Sequence, residues 1–441
     1  MDVELQIIKH LARDAQPTVS FIDQYCQCYK DLFPEVRSYE CFKYLHLGII
    51  APIKKKSLPE IGKVVGINSA QSLHHFIAKS PWSARELKKR RLTKTSEALK
   101  GKSITVVIDE TGDRKKGKKT DYVARQYLGS IGKIDQGIVS VNAYGVYQNI
   151  TFPLICKVFK PKGRLKEGDK YQTKIEIASS IIEELIESGF CIELVLADSL
   201  YGESSSFLRT LDKYKLPWIV AIRSNHGVWM PATQRVRANK WHKFDRTFSN
   251  QTSQTRYIRE IVFGKRSSRT YWEITTDPET MPENSTSFLM TNLNGNVKKT
   301  LGNLYGLRTW VEYGFRQCKQ ELGWTDYRFT NFADIEKWWE IISCVYLMIS
   351  LNSQAFWSLN QPEIAECERK NTTADFSFHQ QWNHESGWKN VLNNLRLIIQ
   401  PTMLLWLISP WLEVFPHRDL LLGFHDLIDV MNQFQHYLSP G

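Results

Sequence analysis

Several features that mark other protein classes are missing from this 441-residue chain. Its eight cysteines form no Cys-x2-Cys pair and no ladder with metal-ligand spacing, which argues against a cysteine-based metal site. Several of them lie inside apolar runs, as buried free thiols do, so we expect a reducing compartment. We find no internal repeat, no low-complexity tract, and no convincing Ser/His/Asp or Cys/His set for nucleophilic catalysis.

Long uninterrupted apolar runs are also missing. The two most apolar stretches, 341–359 and 395–415, do not offer the roughly 20 apolar residues that a membrane span needs. Polar residues and prolines interrupt them, namely Asn352, Ser353, Gln354, Arg396, Gln400, Pro401 and Pro410. We therefore expect two buried helices. We also expect no signal peptide and therefore a cytoplasmic location.

Positive charge is in excess and unevenly placed. The chain has 58 Lys and Arg against 46 Asp and Glu, a net charge of +12, within a globular composition of 42% hydrophobic residues. The excess is concentrated between residues 85 and 119, at Arg85, Lys88, Lys89, Arg90, Arg91, Lys94, Lys100, Lys102, Arg114, Lys115, Lys116, Lys118 and Lys119. Such a stretch favours a polyanionic partner, although a solvated surface is an equal alternative.

The length predicts more than one core. We expect five regions: a helical DNA-binding region at 1–100, the first part of a catalytic core at 101–222, a β-rich insertion at 223–300, the rest of the core at 301–330, and a helical region at 331–441. Residues 58–77 resemble a helix-turn-helix with its turn at Gly66. A plain helical hairpin fits them about as well.

The central region reads as an α/β sheet in the order β-β-β-α-β-α-β. A β-branched run ends at Asp109 and a later strand ends at Asp198. The other predicted elements are a hairpin of 137–146 with 150–159, helices 173–188 and 203–214, and a strand at 218–222. If the two Asp-bearing strands are parallel neighbours, their ends lie roughly 5 Å apart. That is an RNase H-like mixed sheet with flanking helices, interrupted by the insertion.

A helix-like segment follows the insertion and carries polar residues on one stripe. Tyr305, Arg308, Glu312 and Lys319 fall within about 60° of arc when each residue advances by 100°. Together, Asp109, Asp198 and Glu312 can bind divalent cations through oxygen ligands. Two such ions about 3.5–4 Å apart support phosphoryl transfer without a covalent protein nucleophile. Singly, each acid is better explained as a loop cap or a solvated side chain, whereas the three together, with this topology, favour a functional site.

These motifs resemble those of bacterial insertion-sequence transposases of the DDE superfamily, in the branch with the Tyr-Arg-Glu-Lys signature. Asp109 in Ile-Asp-Glu-Thr-Gly-Asp, Asp198 in Leu-Ala-Asp-Ser-Leu-Tyr-Gly and Glu312 match the three family acids. The resemblance spans roughly residues 100–330. It implies that the acids bind two Mg²⁺ ions, for which Mn²⁺ can substitute, and that Tyr305, Arg308 and Lys319 hold the transposon end through its phosphates.

The resemblance also implies double-stranded DNA as the partner, a homodimer acting on paired ends, and cut-and-paste transposition by end cleavage and strand transfer. Some members stack an extruded base on an insertion-domain Trp; the candidates here are Trp229, Trp241 and Trp272, each of which also fits a core role. A basic loop, 113–136, follows the first acid directly and should meet the DNA backbone through Arg114, Lys115, Lys116, Lys118, Lys119 and Arg125.

Two other functions remain open on the sequence. One is a catalytically inactive, transposase-derived DNA-binding protein, against which the complete set of acids argues. The other is a nuclease of the same fold that cleaves without joining, which the sequence barely distinguishes from a transposase.

Overall fold

The computed structural model describes residues 13–148, 150–227, 236–248, 252–262, 269–353, 356 and 387–433. The chain divides into two compact units. A helical unit comprises Met1–Thr95 and Arg316–Gly441, and a sheet unit comprises Ser96–Phe315. The chain therefore leaves the helical unit once, forms the sheet unit, and returns.

The helical unit is built around one buried helix. Its helices are α1 (Ser20–Gln27), α2 (Val36–Ile50), α3 (Leu58–Val64), α4 (Gln71–Ala78), α5 (Ala84–Leu99, which continues into the sheet unit), α11 (Phe332–Leu351), α12 (Trp388–Val414) and α13 (Arg418–Gln433). Residues 338–350 of α11 are buried without a break, as expected for the first apolar stretch. Arg91 of the basic run is also buried here, in an ion pair with Glu340.

The second apolar stretch is not the buried helix that we expected. α12 is the one helix in the described part of the chain that is long and apolar enough to cross a membrane, and only 22% of its most apolar window is buried. Leu404, Leu407, Trp411 and Val414 are exposed. Length and composition alone are weak evidence for a membrane span. The four exposed residues are also spaced as in a helix that packs against another helix.

The segment that resembles a helix-turn-helix does form two short helices. α3 ends at Val64, Gly66 adopts a left-handed φ of 70°, and α4 begins at Gln71. The Ser69 hydroxyl accepts a hydrogen bond from the Gln71 amide at 3.1 Å, which supports the start of α4. The geometry fits both a DNA-reading motif and a plain hairpin.

The sheet unit contains a single mixed sheet. Its strands are β1 (Ile104–Arg114), β2 (Ala124–Leu128), β3 (Lys133–Tyr147), β4 (Ile150–Val158), β5 (Ile192–Ala197), β6 (Trp218–Ile222), β7 (Arg237–Ala238), β8 (His242–Thr247), β9 (Ser253–Val262), β10 (Thr270–Thr275) and β11 (Ser287–Thr291). Its helices are α6 (Lys174–Glu187), α7 (Ser199–Gly202), α8 (Ser205–Lys213), α9 (Leu301–Gly306) and α10 (Thr309–Arg316).

The strand order confirms the predicted RNase H-like core. β4, β3 and β1 are antiparallel neighbours, and β1, β5 and β6 are parallel neighbours. The β3–β4 hairpin and the parallel pairing of β1 with β5 are both as predicted. α6 begins with a capping box between Thr173 and Glu176, which fixes the start of the crossover that returns the chain to β5.

Two local predictions were wrong. The segment 113–136 is not one loop, because β1 continues to Arg114 and β2 pairs with the start of β3. Asp109 therefore lies within β1, beside the point where β5 ends, and not at the end of its own strand. The predicted helix 203–214 is confirmed as α8, and a separate helical turn, α7, precedes it.

The insertion extends the sheet. β11 pairs with β6, β10 with β11, and β9 with β10, so that the described strands form one 11-stranded sheet. β8 adds a hairpin onto β9. The polar segment 223–300, which we expected to interrupt the core, therefore continues the core sheet. Its strand β8 pairs with β9.

Candidate active site

The two aspartates lie side by side on neighbouring strands. Ile108 of β1 is the register partner of Ala197 of β5. Asp109 directly follows Ile108, and Asp198 directly follows Ala197. Asp109 is buried, and its Oδ1 accepts the Glu110 amide at 2.7 Å. Asp198 caps α7, with Oδ1 accepting the Leu200 amide at 3.0 Å. Local backbone bonds therefore fix the direction of both carboxyl groups.

Burial makes this pair of acids reluctant to ionise. Burial is the largest cause that raises the pKa of Asp109, against the opposing effect of Arg308; with the carboxylates of Asp198 and Glu312 also raising it, the pKa is about 7. Burial likewise raises the pKa of Asp198. A pair of buried, neighbouring acids is costly without a cation to compensate it.

The signature segment is not one continuous helix, so our projection onto a single stripe was wrong. α9 ends at Gly306, two turn residues follow, α10 runs from Thr309 to Arg316, and residues 317–321 form a π-helical turn. π-Turns are frequent at functional sites. The break places Tyr305 in α9, Arg308 in the turn and Glu312 in α10.

Arg308 joins the first and third acids. Its Nη1 donates to Asp109 Oδ2 and its Nη2 donates to Glu312 Oε1, each at 3.1 Å. The side chain of Glu312 is 54% exposed, against 13% for that of Asp109. The guanidinium therefore connects a buried carboxylate to one that opens to solvent.

The remaining signature residues divide between the units. Tyr305 is close to Arg308, Asp198 and Asp109, and burial raises its pKa to about 12. Lys319 lies in the π-helical turn and belongs to the helical unit. No group of three or more His, Cys, Asp or Glu side chains in the described ranges is arranged to hold a metal ion. Arg308 holds two of the three acids instead.

The predicted basic residues lie around the β2–β3 hairpin. Arg114, Lys116, Lys118, Lys119 and Arg125 are exposed and Lys115 is half-buried. Arg114 also pairs with Asp135 at 2.8 Å while its side chain stays 61% exposed.

The three candidate tryptophans have different surroundings. Trp229 lies outside the described residues. Trp272 is buried and donates its indole N–H to Thr270, which favours a packing role. Trp241 is half-buried, with the Arg259 guanidinium 4.2 Å from its ring centroid.

Sequence reasoning missed two neighbours of the acids. Tyr201 of α7 is fully buried, and its hydroxyl has no hydrogen-bond partner among the described residues. Burial is the largest cause that raises its pKa, and the charges of Glu110, Asp109 and Asp198 raise it as well. Arg246 of β8 lies beside Arg308 and Glu312. Tyr201 follows Asp198 by three residues, a spacing that could have indicated it, whereas nothing in the insertion sequence singles out Arg246.

Comparison with known proteins agrees with this geometry. Residues 31–247 match a family described as DDE superfamily endonuclease, and residues 168–348 match one described as transposase DDE domain. The second range includes Asp198 and Glu312. The chain is 52% identical over 346 residues to a probable transposase for insertion sequence element IS701 from Microchaete diplosiphon.

That alignment covers 78% of this chain and 91% of the relative, so the similarity extends through both units. The family assignment agrees with the parallel β1–β5 pair and its two aspartates, and with the signature segment. It also agrees with the large share of the relative that the alignment covers. The chain belongs to the DDE superfamily of DNA transposases, which cleave DNA, transfer its strands and use divalent metal ions.

Proposed function

We propose that Asp109, Asp198 and Glu312 form the catalytic site that cleaves transposon ends and joins them to target DNA. The observation that carries this proposal is the bridge of Arg308 between Asp109 and Glu312, with Asp198 beside Asp109. Three acids far apart in sequence thereby share one region of the sheet unit.

The donor set fits a pair of divalent ions. All three side chains offer carboxylate oxygens, the ligands that Mg²⁺ prefers, with Mn²⁺ an accepted substitute. Arg308 is the cation that acts most strongly on both buried aspartates, and burial still raises the pKa of each, which supports a site built for further positive charge. When bound, the metal ions activate the attacking oxygen and stabilise the leaving oxygen.

The protein's own residues position the DNA. Arg308 can exchange its carboxylate partners for a phosphate oxygen, because a guanidinium binds either in the same forked geometry. Tyr305 stays protonated at neutral pH and so can donate its hydroxyl proton. We propose that Lys319 and the exposed basic residues around the β2–β3 hairpin contact further phosphates, and that Trp241, among the three candidate tryptophans, stacks an extruded base.

We also propose that the transposase works as a homodimer through the exposed face of α12. Leu404, Leu407, Trp411 and Val414 follow an i, i+3, i+7, i+10 pattern, the spacing with which two helices interlock side chains. Exposed leucines of α13 enlarge the surface toward the roughly 800 Å² per partner of a stable interface. Residues 404–433 contain four acids, Glu413, Asp419, Asp426 and Asp429, against one arginine, Arg418, a balance that disfavours DNA or an anionic membrane as the partner.

A cleavage and joining assay tests the catalytic assignment. A labelled duplex carrying the element's terminal sequence, read from the DNA flanking the gene, is incubated with Mg²⁺ and target plasmid. We expect Asp198→Asn and Glu312→Gln to abolish cleavage while DNA binding remains, and Glu183→Gln, a surface acid on α6, to leave both intact. Normal cleavage by either site variant would reject the assignment.

The same assay separates the other two functions. A DNA-binding protein without chemistry would retain the labelled duplex in a gel and never nick it. A nuclease without joining activity would release ends with free 3′-hydroxyls and give no product linked to the plasmid. Strand-transfer products from the unmodified protein would exclude both. In a bacterial cell, we propose the cytoplasm, at the nucleoid, as the place of action.

A further inference from the structure

The insertion brings two more arginines toward the signature segment. His242, Phe244 and Arg246 alternate along β8 on its less exposed face, while Lys243 and the other intervening residues are exposed. Arg256 of β9 is the register partner of Phe244, which places it diagonally next to Arg246 on the same face. Two guanidinium groups therefore share one face of the β8–β9 hairpin.

The position of β8 over α9 is fixed by close contacts. The Thr247 amide donates to Asn303 Oδ1 at 3.2 Å, and Asn303 Nδ2 donates back to the Asp245 carbonyl at 3.1 Å. A Cβ added to Gly302 would lie 2.2 Å from the Phe244 ring. The side chains of β8 thus rest directly on the helix, and Arg246 cannot swing away from it as a surface arginine would.

Arg246 is held in a position that leaves part of its guanidinium without a partner. Its Nε is buried and makes no hydrogen bond among the described residues. The missing side chain of Gly306 allows the close approach, because a Cβ there would lie 3.3 Å from that Nε. A buried, unsatisfied, charged donor is costly, so the site is incomplete as it stands.

The surrounding charges identify the missing partner as an anion. Burial is the largest cause that lowers the pKa of Arg246. Arg256 and Arg308 lie close enough to lower it as well, whereas Tyr305 and Glu312 raise it. Three guanidinium groups converge, and the carboxylate of Glu312 already accepts a hydrogen bond from Arg308. A cluster of like charges around a buried donor is stabilised by a ligand of opposite charge.

We propose that Arg246 binds a backbone phosphate of the transposon-end DNA, next to the phosphate held by Arg308 and Tyr305. The inference rests on the proposed function of the site. It gives the insertion a direct part in DNA binding: β8 supplies a phosphate contact from an element that does not carry a catalytic acid. Arg246 is a positioning residue, since it sets where the DNA backbone lies relative to the acids.

Single neutral phosphates in the DNA test the proposal without relying on catalysis. End duplexes with one methylphosphonate at each position in turn are bound to the full chain in Ca²⁺, so that no cleavage occurs. We expect one position near the cleavage site to weaken binding of the unmodified protein roughly tenfold, as for one charge-assisted hydrogen bond. Arg246→Gln should weaken binding of the natural duplex by a similar factor and show no additional loss at that position.

Three controls make the outcome specific. Lys243→Gln, on the exposed face of the same strand, keeps Arg246 and should therefore retain the roughly tenfold loss at the position that Arg246 contacts. Arg246→Lys should recover part of the affinity, because it keeps the charge and loses the fork. Unfolding midpoints without DNA should match or exceed that of the unmodified protein for Arg246→Gln, since the unsatisfied buried charge is removed.

Two results would overturn the proposal. One is a full additional loss at every methylphosphonate position in Arg246→Gln. The other is selective stabilisation of the unmodified protein by inorganic phosphate, absent in Arg246→Gln, with DNA binding unchanged, which would assign the site to a free anion. Neither outcome depends on cleavage, so failure of the catalytic assignment would be recognised separately, by the Asp198→Asn and Glu312→Gln assay.

Discussion

At the scale of single residues, Arg308 decides the state of the site. Its two ion pairs neutralise Asp109 and draw Glu312 toward it. A divalent ion that uses both acids must displace this guanidinium. The metal and the arginine therefore compete for the same carboxylate oxygens, and a phosphate that attracts Arg308 would favour the metal.

This competition predicts the effect of removing the arginine. Arg308→Gln should increase the affinity for Mn²⁺ in the absence of DNA roughly tenfold, which corresponds to about 1.4 kcal/mol. The physical reason is that two ion pairs no longer have to be broken and one nearby positive charge is gone. Calorimetric titration with Mn²⁺ at pH 8, where protons compete little with the metal, measures it.

Arg209→Gln is the matched control, because this exposed arginine lies on α8 in the same unit. It should leave Mn²⁺ binding unchanged. Unchanged or weaker binding in Arg308→Gln would show that the arginine does not hold the acids in solution. The same variant should still bind DNA less well, since the resemblance assigns Arg308 a phosphate contact.

At the scale of elements, the packing of α10 on β3 sets the position of Glu312. Gly314 lies two residues beyond Glu312, and a Cβ there would lie 2.6 Å from the Tyr144 ring. The Tyr144 and Phe315 rings also meet edge to face, with centroids 5.7 Å apart. The helix is thereby pressed against the sheet at the turn that follows the third acid.

Gly314→Ala should therefore displace α10. We expect a loss of about 1–3 kcal/mol in the free energy of unfolding from overpacking. We also expect at least a tenfold loss of end cleavage, because about 1 Å of misplacement is enough to misalign a catalytic group. Urea denaturation and the cleavage assay measure the two effects.

Gly423→Ala provides the control, since no atom lies within 4 Å of a Cβ added at that helical position. It should raise stability by roughly 0.4–1 kcal/mol through the unfolded state and leave cleavage unchanged. Adding Tyr144→Leu to Gly314→Ala should restore part of the cleavage by making room. If Gly314→Ala is as active and stable as the parent, α10 is not held by this contact.

The elements also show where local patterns predicted correctly. The β-branched run 104–108 and the apolar run before Asp198 each form buried strands, and the turn residues between β3 and β4 form the predicted hairpin. β2 was missed because a short, half-exposed strand has no distinctive periodicity. The break after Gly306 was missed because a helical projection assumes a constant 100° advance, which the turn at 307–308 and the π-turn both violate.

At the scale of the whole molecule, the exposed stripe of α12 predicts self-association. Leu407→Glu combined with Trp411→Glu should convert the dimer to a monomer, because each charge would have to be buried against its symmetry mate. Sedimentation velocity at micromolar concentration measures the change. Strand transfer of paired ends should fall with it, while binding of a single end persists.

Val236→Glu is the matched control, because Val236 is a similarly exposed apolar residue that lies in the sheet unit, outside α12 and α13. It should leave the sedimentation coefficient unchanged. A protein that stays dimeric with both α12 substitutions has its interface elsewhere. Partition of the unmodified protein into vesicles, lost in the double variant, would instead assign the stripe to a lipid surface.

The sequence by itself determined the elements and the residue types of the site. Hydrophobic periodicity and turn residues are local properties, so they indicated the core strands, the hairpin and the three acids. Only the tertiary structure decided which charges meet. The register that sets Asp109 beside Asp198, the bridge through Arg308 and the approach of Arg246 from the insertion depend on pairings across tens to hundreds of residues. Local patterns do not encode such pairings, because they arise from packing the whole chain at once.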